Sequence, residues 1–235
     1  MLPVVAGGGE PQQSIVLDKW VRDQVFLRRD QFETDIAFLP FALGDNPDDI
    51  DEGFEWFRNR DAFRGLRVRM CSDASSLAST LHGAAAVFIM GGNTFTLTAK
   101  LRKEVGLTAF SNLLTGKLVY GCSAGAILLG SSILTARLGS EADTNEVQLA
   151  EFNGLEAIGR VNVLPHFLEA DAEGVRDFVE SERVPCIGVP EEGGGYWRDG
   201  MLHNVGAVSI SIFLPSAALM RIPPQASFDL REYLV

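Results

Sequence analysis

The sequence predicts an α/β fold, in which a mostly parallel sheet is covered by helices on both faces. Short apolar runs alternate along the chain with segments whose apolar residues recur at helical spacing. This alternation is typical of parallel strands joined by helices that pack on the sheet. The 235 residues are enough for one large α/β domain and too few for two, so residues 1–235 are predicted to form a single domain.

Each predicted strand is a short apolar run bounded by polar or glycine-containing segments. In chain order these runs are residues 3–6, 36–41, 66–70, 85–90, 117–120, 161–164 and 186–189. Helical patterns cover residues 14–29, a segment that begins at Asn46, and residues 75–81, 94–104, 107–114 and 172–182. At the second of these, Asn46 is followed by Pro47 and two acidic residues, which favour a helix N-terminus. Towards the carboxyl terminus, an Asp-Gly turn within residues 196–202 predicts a hairpin, and residues 207–214 alternate as a strand.

Charge and composition exclude several classes of function. The net charge of −11 opposes binding to nucleic acid or to an anionic membrane, since both would be repelled. Cys71, Cys122 and Cys186 form neither a CxxC pair nor a zinc-ligand spacing, so no disulfide or metal site is predicted. The start of the chain has no basic region, and no run approaches about 18 apolar residues. A soluble, cytoplasmic protein is therefore expected.

A Gly-x-Ser-x-Gly pattern, Gly121-Cys122-Ser123-Ala124-Gly125, follows an apolar run and precedes a helix-forming sequence. This context is typical of a nucleophile elbow, where a serine lies on a sharp turn between a strand and a helix. The glycines allow neighbouring backbone to approach closely. The NH of Ala124, at a helix N-terminus, is then a candidate oxyanion donor. The alternative interpretation is a small-residue turn that packs a helix on a sheet.

Two other loops follow predicted strands, and ligands of open α/β sheets bind outside the carboxyl ends of strands. In Gly91-Gly92-Asn93, the NH of Gly92 is a candidate for the second oxyanion donor and Asn93 is a candidate substrate contact. The alternative role for Asn93 is to cap the next helix. Residues 7–9 are three glycines, but they match neither the dinucleotide fingerprint nor the P-loop, so no nucleotide site is predicted there.

A serine nucleophile needs a base, and the chain contains three histidines. His166 follows the apolar run 161–164 and is expected at the strand edge that carries Ser123, so it is the preferred base. His203 in the hairpin is the alternative. His82 ends a helical segment just before a glycine, and we interpret it as structural.

The base in turn needs an acceptor that fixes its tautomer. Glu191 follows the run 186–189 and is expected at the same edge as the histidine. Sequence spacing alone does not distinguish Glu191 from Glu192. Asp143, which follows the serine motif, is a weaker rival.

Four blocks of sequence together resemble the peptidase E and cyanophycinase group, serine peptidase family S51. The blocks are MGGNT at 90–94, YGCSAGA at 120–126, LPHF at 164–167 and IGVPE at 187–191. The resemblance implies a flavodoxin-like fold similar to class I glutamine amidotransferases. It also implies that Ser123 is the nucleophile, His166 the base and Glu191 the orienting acid, with Gly92 and Ala124 as oxyanion donors. An α/β-hydrolase would instead run Ser, acid, His, and would favour His203 as the base.

The same resemblance implies peptide hydrolysis through an acyl-enzyme, without a metal or organic cofactor, and suggests a homodimer. Members of the group favour amino-terminal aspartate in short peptides, or cut β-aspartyl-arginine units. Binding an aspartate side chain needs a cation. Arg137, Arg160 and Arg176 lie near the relevant segments, with Arg176 the candidate substrate contact, although each is more simply a surface charge. The remaining alternatives are a serine esterase and a noncatalytic amidotransferase-like binding module.

Overall fold

The computed structural model describes residues 1–71 and 73–233. The strands are β1 (Leu2–Ala6), β2 (Thr34–Leu39), β3 (Val68–Met70), β4 (Ala84–Ile89), β5 (Leu118–Cys122), β6 (Asn162–Leu164), β7 (Cys186–Gly188), β8 (Gly194–Arg198), β9 (Met201–Asn204), β10 (Ile210–Phe213), β11 (Met220–Ile222) and β12 (Ser227–Asp229). The α-helices are α1 (Ile15–Phe26), α2 (Pro47–Arg58), α3 (Ala74–His82), α4 (Thr94–Glu104), α5 (Leu107–Leu113), α6 (Ala124–Leu129) and α7 (Ala172–Glu182).

These strands form two sheets. The larger sheet has eight strands in the order β12-β9-β8-β1-β5-β4-β2-β3. From β1 to β3 its neighbours are parallel, whereas β8, β9 and β12 join one edge antiparallel. The smaller sheet has the order β11-β10-β7-β6, and β6 pairs with β7 in parallel. A large, mostly parallel sheet with helices confirms the predicted fold class.

The smaller sheet is the main difference from the sequence expectation. Strands β6 and β7 were predicted, but as members of the same sheet as β5, and they instead pair with each other and with β10. The sequence also gave no prediction of β11 or β12. Each has three residues; β11 buries only one of them and β12 buries none. Neither therefore carries the apolar pattern that identifies a strand.

The core lies on both faces of the larger sheet. All side chains of β1, β2, β4 and β5 are buried, as expected for central parallel strands. On one face, Phe88 packs edge-on against Tyr120, with ring centroids 4.7 Å apart, and contacts Phe57 of α2. The other face packs residues of α4 and α6 such as Leu101 and Leu128. At the start of α2, Oδ1 of Asn46 accepts the Asp48 NH, which is the predicted cap.

One ion pair is completely buried inside this core. Nη1 of Arg60, just before a 3₁₀ turn, donates to Oδ2 of Asp18 on α1 at 2.7 Å, and both side chains are inaccessible to solvent. The hydroxyl of Tyr120 donates to the other carboxylate oxygen at 2.8 Å. Burial raises the pKa of the Asp18 carboxyl, while Arg60 and Tyr120 act in the opposite direction. Through Tyr120, the pair links α1 to β5, the strand that precedes the turn at Ser123.

Among the described residues, no helix combines the length and the apolar character needed to cross a bilayer.

Candidate active site

Ser123 lies on the turn between β5 and α6, and its backbone adopts φ 49° and ψ −111°. A positive φ is uncommon for a residue with a side chain and marks a strained position. The turn is so tight that a Cβ at Gly121 would lie 2.4 Å from the carbonyl oxygen of Gly125. Only glycine fits position 121, and this strand–turn–helix context is the one that the Gly-x-Ser-x-Gly motif requires.

His166 contacts Ser123 directly. It follows β6 through Pro165, and its Nε2 lies 2.9 Å from Oγ of Ser123, which is hydrogen-bonding distance. Its backbone also has a positive φ of 53°, and its NH donates to the carbonyl of Gly7 at 2.9 Å. A base within hydrogen-bonding reach of a serine hydroxyl is the first geometric requirement for activating that serine.

Glu191 is the acid that faces this histidine. It follows β7, and its Oε1 lies 3.6 Å from Nδ1 of His166. That distance is an electrostatic contact and is too long for a hydrogen bond. The other oxygen, Oε2, accepts a hydrogen bond from Nε2 of Gln13 at 2.6 Å. Sequence spacing does not distinguish Glu191 from Glu192. In the structure, Glu191 makes the contact with His166.

The rival residues have other partners. The ring of His203 on β9 stacks on Tyr196 at 4.5 Å, and its Nδ1 lies 2.6 Å from the hydroxyl of Ser227. His82 is the last residue of α3. Oδ2 of Asp143 accepts the NH of Thr94, at the start of α4. None of these side chains takes the place of His166 or Glu191.

A cavity of about 280 Å³ opens beside the Ser123–His166 pair, and Gly92 forms part of its wall. The backbone of Gly92 has a φ of 128°, a value that strongly favours glycine. Ala124, the first residue of α6, follows the serine. Gly92 therefore lines the same cavity as Ser123, and Ala124 adjoins Ser123 in the chain. Their role as backbone donors to an oxyanion stays a prediction.

The structure does not bring the two candidate substrate contacts into this cavity. Oδ1 of Asn93 accepts the NH of Thr96, and its Nδ2 donates to the carbonyl of Thr144, so its amide caps α4 and holds a loop. Arg176 is exposed on α7 and does not line the cavity. Helical spacing places a residue on a helix but leaves open which helix face meets the site. Arg176 is a candidate from sequence because it lies near the segment that carries His166, and nearness along the chain does not fix the direction of the side chain.

The ionisable groups of the cavity wall are acidic. Besides His166, they are Glu141, Asp143 and Asp171, and no lysine or arginine lines the cavity within the described parts of the chain. Among the described residues, no group of three or more His, Cys, Asp or Glu side chains is arranged to hold a metal ion. The cavity therefore offers negative charge to whatever it binds.

The thiol adjacent to Ser123 is not available for chemistry. Cys122 is buried, and burial raises the pKa of its thiol to about 11.

We expect iodoacetamide at pH 7.5 to leave Cys122 unmodified in the native protein, because the thiol is protonated and enclosed. Mass spectrometry of the alkylated protein measures this. Unfolding in urea before alkylation is the control and should expose Cys71, Cys122 and Cys186. Modification of Cys122 in the native protein would contradict its description as an enclosed, protonated thiol.

Sequence reasoning missed the role of the segment that follows β1. A Cβ at Gly8, whose φ is 96°, would lie 2.4 Å from Cε1 of His166. The carbonyl of Gly7 binds the His166 backbone, and Gln13 binds Glu191. The glycine run is visible in the sequence, but it matches no known phosphate-binding pattern and does not by itself indicate contact with a histidine. Gln13 had no signal, since its partner is 178 positions away.

Comparisons with known proteins agree on one family. A family model described as "Peptidase family S51" matches residues 4–203. A protein named "Peptidase E" from Streptomyces coelicolor is 30% identical over 175 residues, covering 69% of this chain and 66% of that protein. A "Probable alpha-aspartyl dipeptidase" from Drosophila melanogaster is 28% identical over 170 residues, covering 66% of each. The aligned region thus spans just under two thirds of the length of these relatives.

Solved structures show a similar fold. The crystal structure of a peptidase from an acI-B1 Actinobacterium superimposes with a TM-score of 0.71 at 17% identity, covering 97% of this chain and 96% of that one. A putative peptidase E protein from Listeria monocytogenes EGD-e gives a TM-score of 0.61 at 14% identity, covering 94% of this chain and 98% of that one. At these identities the likeness concerns the fold alone.

Proposed function

The chain belongs to peptidase family S51, and we propose that it is a serine peptidase that hydrolyses short peptides with Ser123, His166 and Glu191. The observation that carries this proposal is the 2.9 Å contact between Oγ of Ser123 and Nε2 of His166. The contact lies at a strained strand-to-helix turn that opens into a cavity. Strained backbone conformations persist only where the surrounding structure fixes them, and they are concentrated at active sites.

The proposed reaction is acyl transfer to Ser123. His166 takes the hydroxyl proton at Nε2 while Oγ attacks the scissile carbonyl, and Glu191 faces the Nδ1 side and stabilises the positive charge on the ring. Backbone NH groups of Gly92 and Ala124 hold the tetrahedral oxyanion. His166 then gives its proton to the leaving amine, and water, deprotonated by the same histidine, hydrolyses the acyl-enzyme.

The size of the cavity favours small substrates. At about 280 Å³ it is slightly smaller than most small-molecule sites, which measure roughly 300–1,000 Å³. A cavity of this size holds one or two residues of a peptide beside the scissile bond. We therefore propose dipeptides and similarly short peptides as substrates, in keeping with the name of the Drosophila relative.

The charge of the cavity argues against strong aspartyl specificity in this chain. An aspartate side chain would enter a wall that carries Glu141, Asp143 and Asp171 and no described lysine or arginine. Like charges at short range repel, and none of the described residues that line the wall is a cation that could compensate. The same wall attracts the ammonium group of a peptide amino terminus. We propose that peptides with a neutral or cationic first residue are preferred.

We expect Asp-Leu to be hydrolysed with a kcat/KM about 10-fold below that of Ala-Leu, because the acidic wall repels the aspartate side chain. A tenfold difference corresponds to ~1.4 kcal/mol of carboxylate repulsion. Raising ionic strength from about 0.05 to 0.5 M should reduce the ratio, since salt screens exposed charges. Glu141→Gln should also reduce it, whereas Glu146→Gln, an exposed residue outside the cavity wall, should not. Preference for Asp-Leu would contradict this proposal without affecting the proposed reaction.

A peptide panel tests the function itself. Ala-Leu, Lys-Leu, Asp-Leu, β-Asp-Arg and a simple ester are incubated with the protein, and released amine or alcohol is measured. We expect turnover of at least one dipeptide. β-Asp-Arg is included because its guanidinium suits the acidic wall. Turnover of the ester alone would indicate an esterase, and no turnover of any compound would favour a binding module.

A further inference from the structure

Gln13 lies in the turn between β1 and α1, and both ends of its side-chain amide are engaged. Its Nε2 donates to Oε2 of Glu191 at 2.6 Å. Its Oε1 accepts the backbone NH of Glu10 at 2.8 Å. Because the carbonyl end binds an NH that can only donate, the amide is oriented with its NH₂ group towards Glu191. A hydrogen bond to an ionised carboxylate is among the stronger protein hydrogen bonds.

Glu191 needs such a restraint. Its side chain is 43% exposed, and its contact with Nδ1 of His166 is 3.6 Å long. An exposed glutamate without a fixed partner samples several rotamers, and ordering it costs conformational entropy. The hydrogen bond from Gln13 fixes Oε2 and leaves Oε1 on the His166 side. One amide thus selects the orientation in which the carboxylate faces the imidazole.

The segment that carries Gln13 is itself anchored. The carbonyl of Gly9 accepts from the hydroxyl of Ser14 at 2.9 Å and from Nη2 of the buried Arg60 at 3.3 Å. The carbonyl of Gly7 accepts the backbone NH of His166. The same short segment therefore binds the histidine through its backbone and the glutamate through Gln13. Its position is set by a guanidinium that solvent does not reach.

We propose that Gln13 is a positioning residue for the reaction, which holds the Glu191 carboxylate towards His166. This inference rests on the proposed function, because the orientation of Glu191 matters only if His166 takes the proton of Ser123. Gln13 does not contact the Ser123 hydroxyl or line the cavity. Its effect is therefore expected on the rate of the chemical step and not on the binding of the peptide.

The test compares Gln13→Ala with Gln12→Ala, a matched substitution of the neighbouring, exposed glutamine. We expect Gln13→Ala to lower kcat by about 10- to 100-fold with little change in KM, since misplacing a catalytic group by about 1 Å has this effect. Gln12→Ala should retain the kcat of the unmodified protein. Equal kcat values for the two variants would overturn the inference.

A double-mutant cycle separates positioning from a general loosening of the loop. If Gln13 acts through Glu191, Gln13→Ala should lower kcat much less when Glu191→Gln is already present. A full additional loss in that background, with a lower melting temperature, would assign Gln13 a structural role and overturn the inference. Turnover that depends on Ser123 and Glu191 but not on Gln13 removes only this inference, whereas turnover that survives Ser123→Ala removes the proposed function.

Discussion

Replacing Ser123 by alanine should lower kcat by about 10⁵-fold while leaving peptide binding nearly unchanged. The substitution removes the atom that is proposed to form the acyl-enzyme, and losses of this order are typical when a triad nucleophile is deleted. It keeps the Cβ and the backbone, so the strained turn after β5 is retained. Turnover of the best dipeptide measures the loss, and calorimetric titration measures binding. Ser181→Ala, at an exposed serine of α7, is the control and should be silent.

Substitution of His166 and of His203 tests which histidine is the base. His166→Ala should cause a loss close to that of Ser123→Ala, because residues that act as a unit are strongly non-additive. His203→Ala should retain turnover, since the ring stacks on Tyr196 and lies in the hairpin region. Retained turnover in the first variant and its loss in the second would contradict the assignment of the base.

Replacing Arg60 by methionine should lower the free energy of unfolding by about 3–5 kcal/mol. The substitution leaves the Asp18 carboxylate in the core without its cation, and an unpaired buried charge has a penalty of this size. Arg64→Met is the control, because the Arg64–Asp61 pair is 83% and 73% exposed. Exposed pairs contribute about 0–1 kcal/mol. Urea unfolding followed by circular dichroism measures both, and equal effects would contradict the account.

The Arg60→Met deficit should also depend on pH. Burial already raises the pKa of Asp18, and removing the guanidinium, which acts against that shift, leaves the rise unopposed by a cation. Between the unfolded and folded pKa values the folded state then binds more protons than the unfolded state. Stability therefore falls as pH rises through that window and recovers as pH decreases. The difference from the unmodified protein should be smaller near pH 4.5 than near pH 7.5.

The sequence predicted the residues that meet because strand ends are a local signal. Ser123, His166 and Glu191 each follow a short apolar run, and the structure brings these three side chains together. The reason given for their meeting was incomplete. The turn after β5 belongs to the larger sheet, whereas β6 and β7 belong to the smaller one. Apolar patterns identify strands, but which strands pair depends on contacts between distant segments.

The parts that could not be predicted depend on long-range polar contacts. Gln13 is an ordinary loop residue until the fold places it beside Glu191. Arg60 lies in a stretch rich in charged residues that is typical of a solvated surface, yet its guanidinium is buried against Asp18 and the ring of Trp56. In both cases the residue type is visible in the sequence, but its partner is not. The same limitation made Asn93 and Arg176 candidates that the structure places outside the cavity.

Covalent labelling tests the central claim most directly. A fluorophosphonate reacts with a serine hydroxyl only where an adjacent base activates it. Intact-mass measurement should show a single adduct, peptide mapping should locate it at Ser123, and Ser123→Ala should abolish it. Labelling of a different residue, or no adduct under conditions where a control serine hydrolase reacts fully, would contradict the account.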